Sequence, residues 1–165
     1  MIMKKIAFIG LLAVLSGCFG TEPQKTGKEG KPVPEFSMLL TDSINWVYAK
    51  DVPKDKPFVL LYFSPYCHFC KAQTKTIIEN IDNLKDIHFY YLSSYPLSTL
   101  NTFSKEFDLS KYPNITVGFD SAKIVSDYFE IPAYPYIAIY GKDKKLKKSF
   151  VGKIYSSQIR KIAQE

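Results

Sequence analysis

The chain has 165 residues, of which 46% are hydrophobic and 15% aromatic, and a formal net charge of +6. That is enough apolar material for one domain with a true core and no covalent staples, and it excludes a disordered or collagen-like chain. The positive charge is mild and gathers at Lys142 to Lys148 around a turn, which argues against a nucleic-acid surface.

Lys4 and Lys5 open the chain, and an uncharged run from Ile6 to Leu15 follows that is too short to span a bilayer. The run ends in Leu15-Ser16-Gly17-Cys18. This pattern resembles a bacterial lipoprotein signal. It implies that residues 1–17 are removed and that Cys18 is lipidated. The mature chain is then expected to be exported, to face the periplasm and to be held at a membrane by acyl chains. Residues 18–34 are rich in Gly, Pro and charge and are expected to form a flexible tether, about 20–25 Å long on average. Residues 35–165 are expected to form the folded domain.

Phe36 to Thr41 and Ile44 to Tyr48 read as a hairpin around Asp42-Ser43. Phe58 to Phe63 is an uninterrupted apolar run, as expected of a strand covered on both faces. A helix is expected from about Cys67 to Leu84, with Ile77, Ile81 and Leu84 on one face. Ile87 to Leu92 is a second buried strand, and Ser98 to Phe107 a helix with Leu100, Phe103 and Phe107 in a stripe. Ile115 to Phe119 reads as a short extra strand and Ser121 to Phe129 as a short helix. Tyr134 to Tyr140 and Leu146 to Val151 are antiparallel strands, and Ile154 to Ala163 closes the chain as a helix. This order predicts an α/β domain with a mixed sheet flanked by helices.

The chemistry sits at Cys67-His68-Phe69-Cys70. A buried strand ends at Ser64-Pro65, and Cys67 then lands where a helix begins. Unpaired backbone N–H groups and the helix dipole favour a thiolate there. Cys70 is one turn on along the same face, within reach of a disulfide. With Cys18 set aside, these are the only two cysteines, so no thiol remains for a structural bridge. The pair therefore points to thiol–disulfide exchange. His68 has two readings: an imidazolium that stabilises the Cys67 thiolate, or a solvent-facing side chain that lines a docking surface. Phe69 reads as a surface aromatic for partner contact, and His88 as an ordinary packing residue in a strand. Pro135 opens an apolar strand, a position where its missing N–H is tolerated.

Together, the strand into Cys67-His-Phe-Cys70-Lys71 and a proline opening a terminal β-β-α resemble the thioredoxin-like superfamily. The membrane-anchored TlpA/ResA-like (redoxin-type) branch is the most similar. The resemblance implies a thioredoxin-like fold with an N-terminal hairpin and an insertion, about Pro96 to Ile131, before a cis-proline strand. It implies that Cys67 attacks, that Cys70 resolves and that Pro135 is cis. Tyr66, His68, Phe69, Tyr134 and Pro135 would modulate the pair or bind substrate. It implies no cofactor and no metal, and partners that are protein disulfides or dithiols together with a redox partner protein. The chain departs from the pattern at Tyr66, where many relatives have Trp, and at Phe69, where many have Pro. Leu61 stands where many thioredoxins bury an acid, so no proton relay for Cys70 is evident. Two other readings of the pair stay open: a copper-binding or delivery module, and a non-catalytic thioredoxin-fold interaction module with a structural disulfide.

Overall fold

The computed structural model describes residues 21–165. Seven strands form one mixed sheet: β1 (Ser37–Leu40), β2 (Trp46–Tyr48), β3 (Phe58–Tyr62), β4 (His88–Ser93), β5 (Ile115–Phe119), β6 (Tyr136–Tyr140) and β7 (Leu146–Val151). Their order across the sheet is β2-β1-β5-β4-β3-β6-β7. β3, β4 and β5 are parallel; β1 and β2 add at one side, and β6 and β7 at the other, all antiparallel. The helices are α1 (His68–Glu79), α2 (Leu97–Glu106), α3 (Ile124–Phe129) and α4 (Ser156–Ala163).

β3 lies inside the sheet between β4 and β6, and its side chains, with Phe63 just after it, divide by the period-two rule. Val59, Leu61 and Phe63 join the core layer that also takes residues of α1, α2 and α4. Phe58, Leu60 and Tyr62 join the opposite layer, with Val125 and Phe129 of α3 and Phe36 and Met38 of the hairpin. Every residue of β3 is buried, which is why its sequence shows no polar alternation. Phe58 stacks on Tyr140 across the β3–β6 pair at 4.7 Å between ring centroids. β1 approaches β5 closely at Gly118, where a Cβ would lie 2.6 Å from Met38 Cε and 2.9 Å from the Leu39 carbonyl oxygen. A glycine inside that strand is a packing requirement.

Three helix boundaries differ from expectation by two residues or more. α3 starts at Ile124 rather than Ser121, because Lys123 before it is in left-handed backbone and the Asp120 carboxylate accepts the Ile124 and Val125 N–H groups. α1 ends at Glu79, and a separate 3-10 turn spans Ile81–Leu84. Asn80 is the cause: its side-chain amide donates to the Thr76 carbonyl at 2.9 Å, and its backbone leaves the helical region. α4 starts at Ser156 rather than Ile154, because Tyr155 is in extended backbone and acts as the N-cap; the Ile154 N–H before it donates to Gln73 Oε1 at 2.8 Å.

The segment expected to be a flexible tether is instead docked from Thr21 onward. Gln24 pairs with Ser149 and Pro32 with Lys145. Gly30 N–H donates to the Leu146 carbonyl at 2.8 Å, and Leu146 N–H donates to the Lys31 carbonyl at 2.9 Å. Thr21 donates its hydroxyl to the Lys153 carbonyl, and Gln158 donates to the Thr21 carbonyl. β7 is the outer strand on this side, with a row of backbone groups that need partners. A Gly- and Pro-rich strap supplies them without adding a full strand. Cys18 and residues 1–17 lie outside the described residues.

Candidate active site

The site is built at the carboxyl end of β3. Phe63 N–H donates to the Leu92 carbonyl at 3.0 Å, and the buried Ser93 hydroxyl donates to the Phe63 carbonyl at 2.8 Å. Ser64-Pro65-Tyr66 then turns the chain. Cys67 N–H donates to the Ser64 carbonyl at 3.1 Å, and Tyr66 N–H reaches Ser64 Oγ. Cys67 is the N-cap of α1, in extended backbone, and its carbonyl accepts the first helical bond from Lys71 N–H at 3.1 Å. Lys71 holds the start of α1 to α2 through an ion pair with Glu106 at 2.9 Å.

Cys67 and Cys70 are both free thiols with unequal surroundings. Cys67 is half-buried, and its thiol donates to the Tyr134 carbonyl at 3.6 Å. Cys70 has no exposed surface. Burial pushes the Cys70 thiol well above the ordinary cysteine range; the Ser64 backbone N–H, which faces its sulfur, pulls the other way. The Tyr134–Pro135 bond is cis, and Pro135 is buried. Pro135 and Cys67 thus meet through Tyr134, whose ring stacks on Tyr62 at 6.0 Å.

Of the remaining residues singled out from the sequence, Tyr66, His68 and Phe69 are exposed around Cys67, whereas His88 and Leu61 belong to the sheet. Tyr66 is 71% exposed and meets Tyr95 edge-on at 5.6 Å. Phe69 is 61% exposed and meets the exposed His68 ring edge-on at 5.9 Å. His88 lies in β4, its Nε2 sharing a 2.8 Å hydrogen bond with the Thr116 hydroxyl. Leu61 is fully buried and apolar, so no acid occupies that position. Among the described residues no three His, Cys, Asp or Glu side chains converge as a metal site. Among them too, no helix is long and apolar enough to cross a membrane.

Sequence reasoning passed over a set of buried polar groups around Cys70. Gln73 and Thr74 follow it on the same helix face, and Tyr91 comes from β4 directly beside Leu61. All three are without exposed surface. The signal was present in the i+3 and i+4 spacing from Cys70.

No family model and no curated protein matches the chain. Solved structures do. A secreted Mycobacterium tuberculosis disulfide oxidoreductase homologous to E. coli DsbE superposes with a TM-score of 0.64, at 15% identity, over 78% of this chain and 94% of that one. The fold is thioredoxin-like. StoA from Bacillus subtilis superposes with a TM-score of 0.61, at 13% identity, over 82% of this chain and 99% of that one. A mutant of peroxiredoxin 6 from Arenicola marina gives a TM-score of 0.68, at 16% identity, over 81% and 71% of the two chains. The hairpin β1–β2 precedes β3, and α2–β5–α3 lies between β4 and the cis-proline strand, the two places where the sequence predicts extra elements.

Proposed function

We propose that the chain is an extracytoplasmic thiol–disulfide oxidoreductase, anchored to a membrane through lipidated Cys18, that exchanges electrons with exported proteins through Cys67 and Cys70. The observation that carries the reading is the inequality of the two thiols. One is accessible at a helix N-terminus and bonded to the Tyr134 carbonyl; the other is sealed one turn behind it. That arrangement suits a two-step exchange. The Cys67 thiolate attacks a partner disulfide, forming a Cys67–partner bond and releasing one partner thiolate. The Cys70 thiolate then attacks Cys67 Sγ, forming the Cys67–Cys70 disulfide and releasing the second partner thiolate. The reverse sequence oxidises a partner dithiol. Tyr66, Phe69 and Tyr134 are the contact surface a docking polypeptide would meet, with His68 beside them.

The docked strap alters how the anchor would act. Two residues separate Thr21 from Cys18, so the three Cα–Cα steps reach at most about 10 Å. Thr21 is bonded to Lys153, and neighbouring Gly152 donates to the Pro135 carbonyl at 2.8 Å. The acyl chains would therefore hold the active-site end close to the bilayer rather than at the end of a long tether.

Trapping tests the reading. Cys70→Ser should accumulate disulfide-linked adducts with exported proteins, and Cys67→Ser almost none. Adducts held only by Cys67→Ser, or by neither variant, would overturn it. Loss of membrane fractionation in Cys18→Ser tests the anchor; a wild-type chain that fractionates as soluble would remove it.

A further inference from the structure

The charge of the described chain is unevenly placed, and the docked strap is the reason. Residues 21–33 carry Lys25, Lys28 and Lys31, and residues 141–153, around β7, carry six more lysines. The strap joins these segments along one edge of the sheet. Val33 N–H donates to the Lys144 carbonyl at 3.3 Å, Leu146 N–H to the Lys31 carbonyl at 2.9 Å and Gln24 N–H to the Ser149 carbonyl at 2.7 Å. The two segments together hold nine lysines against three acids, whereas the other described residues hold eleven basic and thirteen acidic side chains. The acids do little to neutralise the edge. Glu29 turns back onto the strap and accepts the Thr26 N–H and hydroxyl, each at 2.9 Å, and Asp143 pairs with Lys147 at 3.2 Å. Among the described residues, none of the other eight lysines is in an ion pair. Like charges gathered this densely repel one another unless a counter-charge meets them.

We propose that the edge formed by the strap and β7 is a docking surface for anionic phospholipid headgroups, a second membrane contact beside the acyl chains of Cys18. It deepens the anchor reading above and rests on it for the orientation. Two observations select a lipid surface over a protein partner. The edge is basic and extended, and none of the exposed large apolar side chains falls in its two segments, whereas protein docking sites are built on such anchors. It also begins where the chain leads to Cys18: the Thr21 hydroxyl donates to the Lys153 carbonyl at 2.9 Å, three Cα–Cα steps from that cysteine. β7 is antiparallel to β6 and β6 to β3, so β7 runs in the direction of β3. Lys153 therefore lies at the active-site end, and the turn of Lys142 to Lys145 lies at the other, about 20 Å away. Acyl chains at one end and lysines at the other would lay the strands along the bilayer. Cys67 then faces along the membrane plane rather than into it, open to partners.

The test uses the protein as matured in cells, mixed with vesicles of phosphatidylcholine alone or of phosphatidylcholine with phosphatidylglycerol. Flotation with the neutral vesicles reads the acyl anchor by itself. A membrane-impermeant amine-acylating reagent, mapped by mass spectrometry, reads each lysine. On the anionic vesicles the exposed Lys25, Lys31, Lys142 and Lys145 should acylate at least about fivefold more slowly than on the neutral ones, and added salt should abolish the difference. Lys50, beside β2 at the opposite edge, and Lys105 of α2 should label alike on both. Equal labelling of the edge lysines on the two vesicles overturns the proposal, and so does a slowing that Lys50 and Lys105 share. Protection by soluble polyglutamate but not by the anionic vesicles would assign an acidic protein partner and overturn it too. A protein that does not float with the neutral vesicles defeats the Cys18 anchor alone. The edge is then read from salt-sensitive flotation with the anionic vesicles. Lys25→Gln, Lys31→Gln, Lys142→Gln and Lys145→Gln together should weaken that binding at least about a hundredfold, and unchanged binding overturns the proposal.

Discussion

Ser93 is the most exacting structural support of the cysteine turn, and its removal gives a measurable cost. Its hydroxyl is fully buried at the end of β4, donates to the Phe63 carbonyl at 2.8 Å and accepts the Tyr95 N–H at 3.3 Å. Ser93→Ala removes one oxygen and keeps Cβ, so it opens almost no cavity. The short bond to Phe63 contributes about 1 kcal/mol net, and the longer one to Tyr95 about half as much. Leaving a buried carbonyl short of a donor adds to this, for a total of about 1.5–2.5 kcal/mol. For a domain of this size that corresponds to a Tm lower by roughly 4–8 °C. Urea titrations of reduced parent and variant, with unchanged m, measure it. A difference below about 0.5 kcal/mol would refute the argument that this hydroxyl fixes the end of β3.

Three further outcomes follow from the same geometry. Iodoacetamide should modify Cys67 at least about tenfold faster than Cys70, because one sulfur is accessible and the other sealed, and peptide mapping after brief labelling would expose equal reactivity if that were wrong. Gly118→Ala should cost about 1–3 kcal/mol, since the Met38 methyl can swing aside but the Leu39 carbonyl at 2.9 Å cannot; an unchanged urea midpoint would contradict it. Asp120 is buried, and its carboxyl is raised above the usual range by desolvation, against the pull of the Val125 and Ile124 N–H groups. A raised folded-state value means that its contribution is fully present below its ordinary range, near pH 4, and is lost as pH rises through the folded value. The stability of Asp120→Asn relative to the parent should therefore increase as pH rises above about 4, and a difference that stays flat or falls would contradict the assignment.

The sequence was most legible where one local rule decided the outcome. β3 could be read from Phe58 to Phe63 because a strand covered on both faces needs apolar residues throughout. The cysteine turn could be read because Ser64-Pro65 must end that strand. The end of α1 was not legible, because a polar side chain at Asn80 competes with the helix, and the Ile77–Ile81–Leu84 spacing continues through the break. The strap over β7 was hidden for a different reason. Its Gly-, Pro- and Lys-rich composition has no apolar periodicity, and the demand it meets belongs to the backbone of a strand more than a hundred residues later. Tyr91 was absorbed into an apolar run, and only the fold shows that this side chain is fully buried, hydroxyl included.

The account stands on Cys67 and Cys70 being a reversible couple. Equilibrating the folded protein across a series of reduced and oxidised glutathione, quenching with acid and reading the mass tests this directly. The prediction is a single two-electron transition between a dithiol and a Cys67–Cys70 disulfide, complete in both directions and restored by a mild dithiol. A pair that stays reduced at every ratio, or a disulfide that a mild dithiol leaves intact, would contradict it.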